Sequence, residues 1–150
     1  MQRADYGEKL FREGMNCSQA VVCAFEDRLG IDRSVLLKIS GGFGGGMGRM
    51  REVCGAVSGM FMVAGLLYGT DKVGDGRAKA AHYKLIQELA AKFRGINGSI
   101  ICRELLGLDR PEGTHVPEER TKEYYAKRPC IRCIRCAIEI LENYGEDKSV

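Results

Sequence analysis

From Val53 to Thr70 the chain runs for 18 residues without a charge, directly after a loop reading Gly41-Gly42-Phe43-Gly44-Gly45-Gly46-Met47-Gly48. A segment apolar all round must either be buried in a protein core or cross a membrane. A span usually needs about 20 residues. This run is shorter, is rich in Gly and Ser, and has no hydrophobic companion, so it predicts a central buried helix and no membrane span. Glycine costs about 1 kcal/mol relative to alanine inside a helix. Gly55, Gly59 and Gly65 therefore imply close approach, either by crossing helices or by the same helix of a second subunit, which would make the protein a homodimer.

The rest of the chain reads as helices around that segment. Tyr6, Leu10 and Phe11 share one side of a helix over Asp5–Glu13, which Gly14 ends. Asn16-Cys17-Ser18-Gln19 reads as a capping box for a helix to Leu29, with Gly30 as its C-cap. In that helix Cys17 falls in the apolar stripe, whereas Cys23 is rotated by about 120° and points away from the core. Asp32 caps a short helix that ends at the glycine loop. Asp75 caps a long one from Gly76 to Arg94, with His82, Ile86, Leu89 and Phe93 in one stripe and Gly95 closing it. Ser99 caps a short helix over Ile100–Leu106, and 108–116 is a polar loop. Pro117 precedes a charged helix over Glu118–Lys127, and Pro129 starts the last, Cys130–Tyr144. No stretch alternates as a strand does, so the fold class is all-α, a compact bundle of six to eight helices.

A chain of 150 residues with 45% hydrophobic residues suffices for a single domain, 1–150, with a real core. With 23 basic residues against 20 acidic and a net charge of +3, nothing marks a nucleic-acid surface. The polar N-terminus lacks an apolar signal core, which points to a cytoplasmic protein. In a reducing compartment, seven cysteines read first as ligands or redox centres and not as a disulfide framework.

Cys17, Cys54, Cys102 and Cys130 each fall at the start of an expected helix, where free N–H groups and the dipole favour a thiolate. A buried cysteine can also be simply a small hydrophobe. Four at helix starts instead suggest one convergent site, and four thiolates buried together require a cation. They form a complete ligand set for a two-iron cluster, a four-iron cluster or tetrahedral zinc.

Cys130-Ile131-Arg132-Cys133-Ile134-Arg135-Cys136 is similar in spacing to three ligands of a ferredoxin-type cluster. It continues in helical register, however, and no fourth cysteine with a following proline appears. The helical face ranks Cys130 first, Cys133 second and Cys136 third as site residues. A dithiol centre is the alternative, with Lys127, Arg128, Arg132 and Arg135 lowering a thiol pKa. Neither C-x-x-C is followed by His, which excludes covalent haem attachment. His82 reads as a packed core residue and His115 as a loop residue. The glycine loop has no strand before it and no Gly-Lys-Ser/Thr, so its phosphate-binding signal is weak, although Arg49 and Arg51 could meet an anion. Its Gly44, Gly45 and Gly46, with Gly55, are candidate cofactor-binding positions that let backbone approach a bound group.

Together these motifs resemble the family named for its C_GCAxxG_C_C cysteine and glycine signature, grouped on an expected redox activity. Asn16-Cys17-Ser18-Gln19-Ala20-Val21 is similar to its first cysteine segment, and Cys54-Gly55-Ala56-Val57-Ser58-Gly59 to its C-G-A-x-x-G core. Gly98-Ser99-Ile100-Ile101-Cys102-Arg103-Glu104-Leu105 resembles the third segment, and Cys130 with Ile134, Ala137 and Leu141 the last. A related domain in split-Soret cytochromes is associated with a non-haem iron centre, so the resemblance implies an iron-sulfur cluster, two-iron ahead of four-iron, on Cys17, Cys54, Cys102 and Cys130. The expected role is electron transfer with an unidentified redox partner protein, as an oxidoreductase or electron-transfer component. A thiol-disulfide oxidoreductase or redox sensor, and a zinc-stabilised interaction module, are the alternatives.

Overall fold

The computed structural model describes residues 1–108 and 114–148. The chain is all-α. Its helices are α1 (Arg3–Arg12), α2 (Cys17–Ala24), α3 (Glu26–Leu29), α4 (Arg33–Gly41), α5 (Gly44–Met47), α6 (Gly55–Tyr68), α7 (Gly76–Asn97), α8 (Cys102–Leu105), α9 (Lys122–Lys127) and α10 (Cys130–Lys148). Among the described residues the only β pairing is an isolated antiparallel bridge, Val53 to Ile101. Within the loop expected at 108–116, residues 109–113 lie outside the described residues.

The charge-free run forms α6 as expected, with Cys54 at its N-cap. Its closest neighbour is α2, which also packs on α1, α4 and α10. Val57, Met60 and Val63 of α6 are fully buried with Val21 and Val22 of α2. Burying side chains of this kind contributes about 1.5–3 kcal/mol each. Two of the three α6 glycines are explained by this crossing. A Cβ at Gly59 would stand 2.9 Å from the Ser18 carbonyl oxygen, and one at Gly55 would overlap the Cys17 sulfur. Gly65 has no such neighbour; a Cβ there would meet nothing nearer than 3.9 Å. Gly55 and Gly59 are thus occupied by contacts within the chain, which removes the argument from these glycines for a homodimer. Among the described residues no helix is long and apolar enough to cross a membrane.

Several boundaries differ from the sequence reading, each for an identifiable reason. The Asn16–Gln19 capping box forms in both directions, but the helix it starts breaks at Phe25. There the Arg3 guanidinium takes the Ala24 carbonyl at 2.7 Å, and Arg28 N–H donates to Phe25 O instead. Cys23 is completely buried, contrary to the rotation argument, because α2 is covered on all sides and has no solvent face. Helix α7 passes through Gly95 and ends at Gly98, whose φ of 89° is left-handed. Helix α8 begins at Cys102, since Ser99 Oγ caps Ile101 N–H in a turn ahead of the helix. Helix α9 begins only at Lys122, where Thr121 Oγ1 accepts from Tyr124 N–H.

The glycine loop has an unusual backbone. Gly45, Gly46, Met47, Gly48 and Arg49 all have φ between 57° and 71°, and Arg51 follows at 59°. Left-handed residues normally occur singly; for a residue with a Cβ each costs roughly 1–2 kcal/mol. The segment α5, with Gly45, Gly46 and Met47 all left-handed, is therefore a short left-handed turn and not a right-handed helix. Beyond it, Cys54 N–H donates to Ile100 O at 2.8 Å and Cys102 N–H to Glu52 O at 2.6 Å. These bonds set Cys54 and Cys102 side by side across the bridge.

Candidate functional site

Four separated parts of the chain deliver thiols to one place. Cys17 is the first residue of α2, Cys54 the N-cap of α6, Cys102 the first residue of α8 and Cys130 the first residue of α10. All four line a cavity of about 70 Å³, together with Cys133 from the next turn of α10. All seven cysteines are free thiols. Cys23 and Cys136 lie elsewhere: Cys23 is buried in the core, and Cys136 accepts a hydrogen bond from Asn97 Nδ2 at 3.3 Å.

Tight backbone approach makes this convergence possible. Gly45 and Gly55 form part of the cavity wall. Gly46 sits against Cys102 Cβ, where its own Cβ would be 2.6 Å away, and Gly44 would meet the Asn16 side chain at 2.5 Å. Gly44 and Gly46 thus shape the turn behind the cavity. Asn16 holds that turn from the other side, donating from Nδ2 to Gly41 O at 2.9 Å.

The surroundings of Cys17, Cys54, Cys102 and Cys130 favour their protonated form. Burial pushes Cys17 up to about 12, and the neighbouring Cys54 adds to the rise; the N–H groups of Gly45 and Ser18 face its sulfur and oppose it. Burial raises Cys130 to about 12 as well, with Cys17 and Cys54 contributing. Cys54 rises well above its ordinary value, first through a hydrogen bond shared with Cys133 and then through burial, against the N–H groups of Val57 and Ala56. Burial also raises Cys102, opposed by Arg51. The expectation that helix starts and nearby basic residues would lower these pKa values is therefore corrected. Desolvation and mutual repulsion outweigh the N–H groups; Arg128 does favour the Cys130 and Cys102 thiolates but is outweighed by burial, while Arg132 bonds Asn97 and Arg135 pairs with Asp5 and Glu8.

Three arginines also reach the cavity beside Tyr124: Arg51 and Arg128, which the sequence marks as an anion contact and a basic neighbour of the thiols, and Arg120, which it does not single out. Arg51 is only 3% exposed, and its Nη1 lies 3.7 Å from Cys102 Sγ. Arg128 stands two residues before Cys130, whereas Arg120 carries no local signal and joins the cavity only through folding. Among the described residues, no three Cys, His, Asp or Glu side chains are grouped closely enough to hold a metal ion.

Fold and cavity define an all-helical protein organised around a shared centre of buried thiols. The chain belongs to the C_GCAxxG_C_C family, described as putative redox-active protein, whose family model matches residues 15–144. That span contains all five cavity cysteines. No curated protein and no solved structure matches the chain.

Proposed function

We propose that this is an electron-transfer protein whose Cys17, Cys54, Cys102 and Cys130 ligate an iron-sulfur cluster, two-iron in preference to four-iron. The observation that carries this reading is the convergence of four helix-start cysteines on one cavity. Thiols with pKa values near 12 are poor nucleophiles and poor anions on their own. A bound cation would reverse that balance by taking the proton's place. The donor set suits a cluster anion, since the N–H groups of Gly45 and Ser18 face Cys17, those of Ala56 and Val57 face Cys54, and guanidinium groups approach Cys102 and Cys130. Such second-shell donors and local positive charge tune cluster potentials. A single zinc ion would need its ligands drawn to one point at about 2.3 Å, whereas a two-iron cluster would share the four thiolates between two irons.

When bound, such a cluster would supply a one-electron couple. The protein's own part is to bury Cys17, Cys54 and Cys102 and partly cover Cys130, to orient the four sulfurs from helix starts, and to offset negative charge with Arg51 and Arg128. The second reading, a thiol-disulfide oxidoreductase or sensor, is favoured by one contact, the hydrogen bond between Cys54 and Cys133. Visible absorption of anaerobically purified protein separates the two. The cluster reading predicts iron-thiolate charge-transfer bands between about 300 and 600 nm. A colourless, metal-free protein with a titratable Cys54–Cys133 disulfide would replace it with the thiol enzyme, and a colourless protein with zinc would replace it with the interaction module.

A further inference from the structure

One wall of the thiol cavity is built differently from the rest. Cys17, Cys54, Cys102 and Cys133 are buried, and Cys130 is the one cavity thiol that keeps partial exposure. Next to it the wall consists of Arg120, Tyr124, Arg128 and Pro129, all from a single strap of chain, 117–129.

The strap lies on the molecule without being zipped to it. Its helix, α9, has no buried residue. Among the described residues, the backbone hydrogen bonds of 117–128 stay within the strap, as from Tyr125 N–H to Thr121 O and from Arg128 N–H to Tyr124 O. Pro117 and Pro129, at its two ends, have no N–H to give. The Arg128–Glu118 ion pair joins two residues of the strap itself, so it braces the strap without fastening it. The fastening is done by side chains on the C-terminal end of α1. There the Arg120 guanidinium donates to Phe11 O at 2.5 Å and to Met15 O at 2.8 Å. It also lies 4.2 Å over the Phe11 ring, which Tyr125 meets edge-on at 6.0 Å. A segment with so little buried surface opens locally far more readily than the whole fold unfolds.

We propose that 117–129 is a lid over the thiol cavity, latched to α1 by Arg120, and that a metal ion or small reagent reaches the buried cysteines when this latch releases. Closed, the lid keeps water and bulk reagents from the sulfurs. The lid serves whatever occupies the cavity, so it stands independently of the cluster reading.

Pulse alkylation of the reduced, metal-free, full-length protein with iodoacetamide, read at each cysteine by peptide mass spectrometry, tests it. Cys23, buried in the core away from the cavity, reports global unfolding. Arg120→Ala should speed the labelling of Cys17, Cys54 and Cys102 by about tenfold or more, while Cys23 labels at close to the wild-type rate. Arg120→Lys, which keeps the charge but lacks the planar fork, should fall between the two. Hydrogen exchange of the wild-type chain provides a second arm: the Tyr125 and Arg128 amides should exchange about tenfold faster or more than those of residues 57–64 in α6. The proposal is overturned if the strap amides are as protected as those of α6, or if Arg120→Ala leaves the cavity cysteines labelling at the wild-type rate. It is equally overturned if that variant speeds Cys23 as much as the cavity cysteines, because Arg120 would then support only the global fold.

Discussion

At Gly55 a Cβ would overlap the Cys17 sulfur and stand 2.8 Å from the Phe43 carbonyl oxygen. Backbone cannot step aside as a flexible side chain can, so Gly55→Ala should destabilise the fold by roughly 1–3 kcal/mol and disturb the cavity. Gly65→Ala has room and should stabilise by about 0.5–1 kcal/mol, because glycine is a poor helix interior residue. Urea denaturation of the two variants should therefore move in opposite directions. The thiols add a pH dependence. Cys17 and Cys130 titrate near 12 when folded, against an ordinary 9.0. The folded metal-free chain thus holds more protons than the unfolded one between those values, and its stability falls as pH rises through that window. Denaturation midpoints should be level below about pH 8 and decline steadily above 9. Metal uptake must displace the same protons, so apparent metal affinity should rise with pH. At this scale the sequence located Cys17, Cys54, Cys102 and Cys130 because helix-start signals are local. It misplaced Cys23, whose burial depends on helices packing over both sides of α2, and it could not see that Arg120 reaches the C-terminal end of α1 from more than a hundred residues away.

Helix α2 meets α6 at its start, and Asn16 governs both that start and the adjoining turn. Its Oδ1 accepts Gln19 N–H at 2.9 Å, and its Nδ2 donates to Gly41 O at the same distance. Asn16→Ala should cost about 1 kcal/mol through the cap alone. A further loss is expected from releasing the turn, and thermal unfolding would read the sum. Caps of this kind were legible: Asn16 and Asp75 do as their sequence context implies. Breaks set by distant groups were not, as where Arg3 takes the Ala24 carbonyl and ends α2 early. The left-handed turn was also hidden. Glycine permits both hands equally, and nothing local announces that Met47, Arg49 and Arg51 follow the glycines into the left-handed region.

Across the whole molecule, one hydrophobic core runs from α1 through α2 and α6 to α7 and α10, and the thiol cavity lies where the starts of α2, α6, α8 and α10 converge. The charge-free run indicated that core early, because a fully apolar helix in such a chain has few other places to go. The site's chemistry was less legible than its position, since the balance between N–H groups, desolvation and mutual repulsion depends on burial. If the cavity holds a cluster, binding and folding are linked, and the loaded chain should resist denaturation more than the metal-free one. The most direct test is iron and acid-labile sulfide per chain after anaerobic reconstitution with ferrous iron and sulfide, in the wild type and in single Cys→Ser variants. The account predicts about two of each per wild-type chain, retained in Cys23→Ser and Cys136→Ser and lost in Cys17→Ser, Cys54→Ser, Cys102→Ser and Cys130→Ser. A wild-type chain that takes up no iron, or whose uptake survives each of those four substitutions, would contradict it.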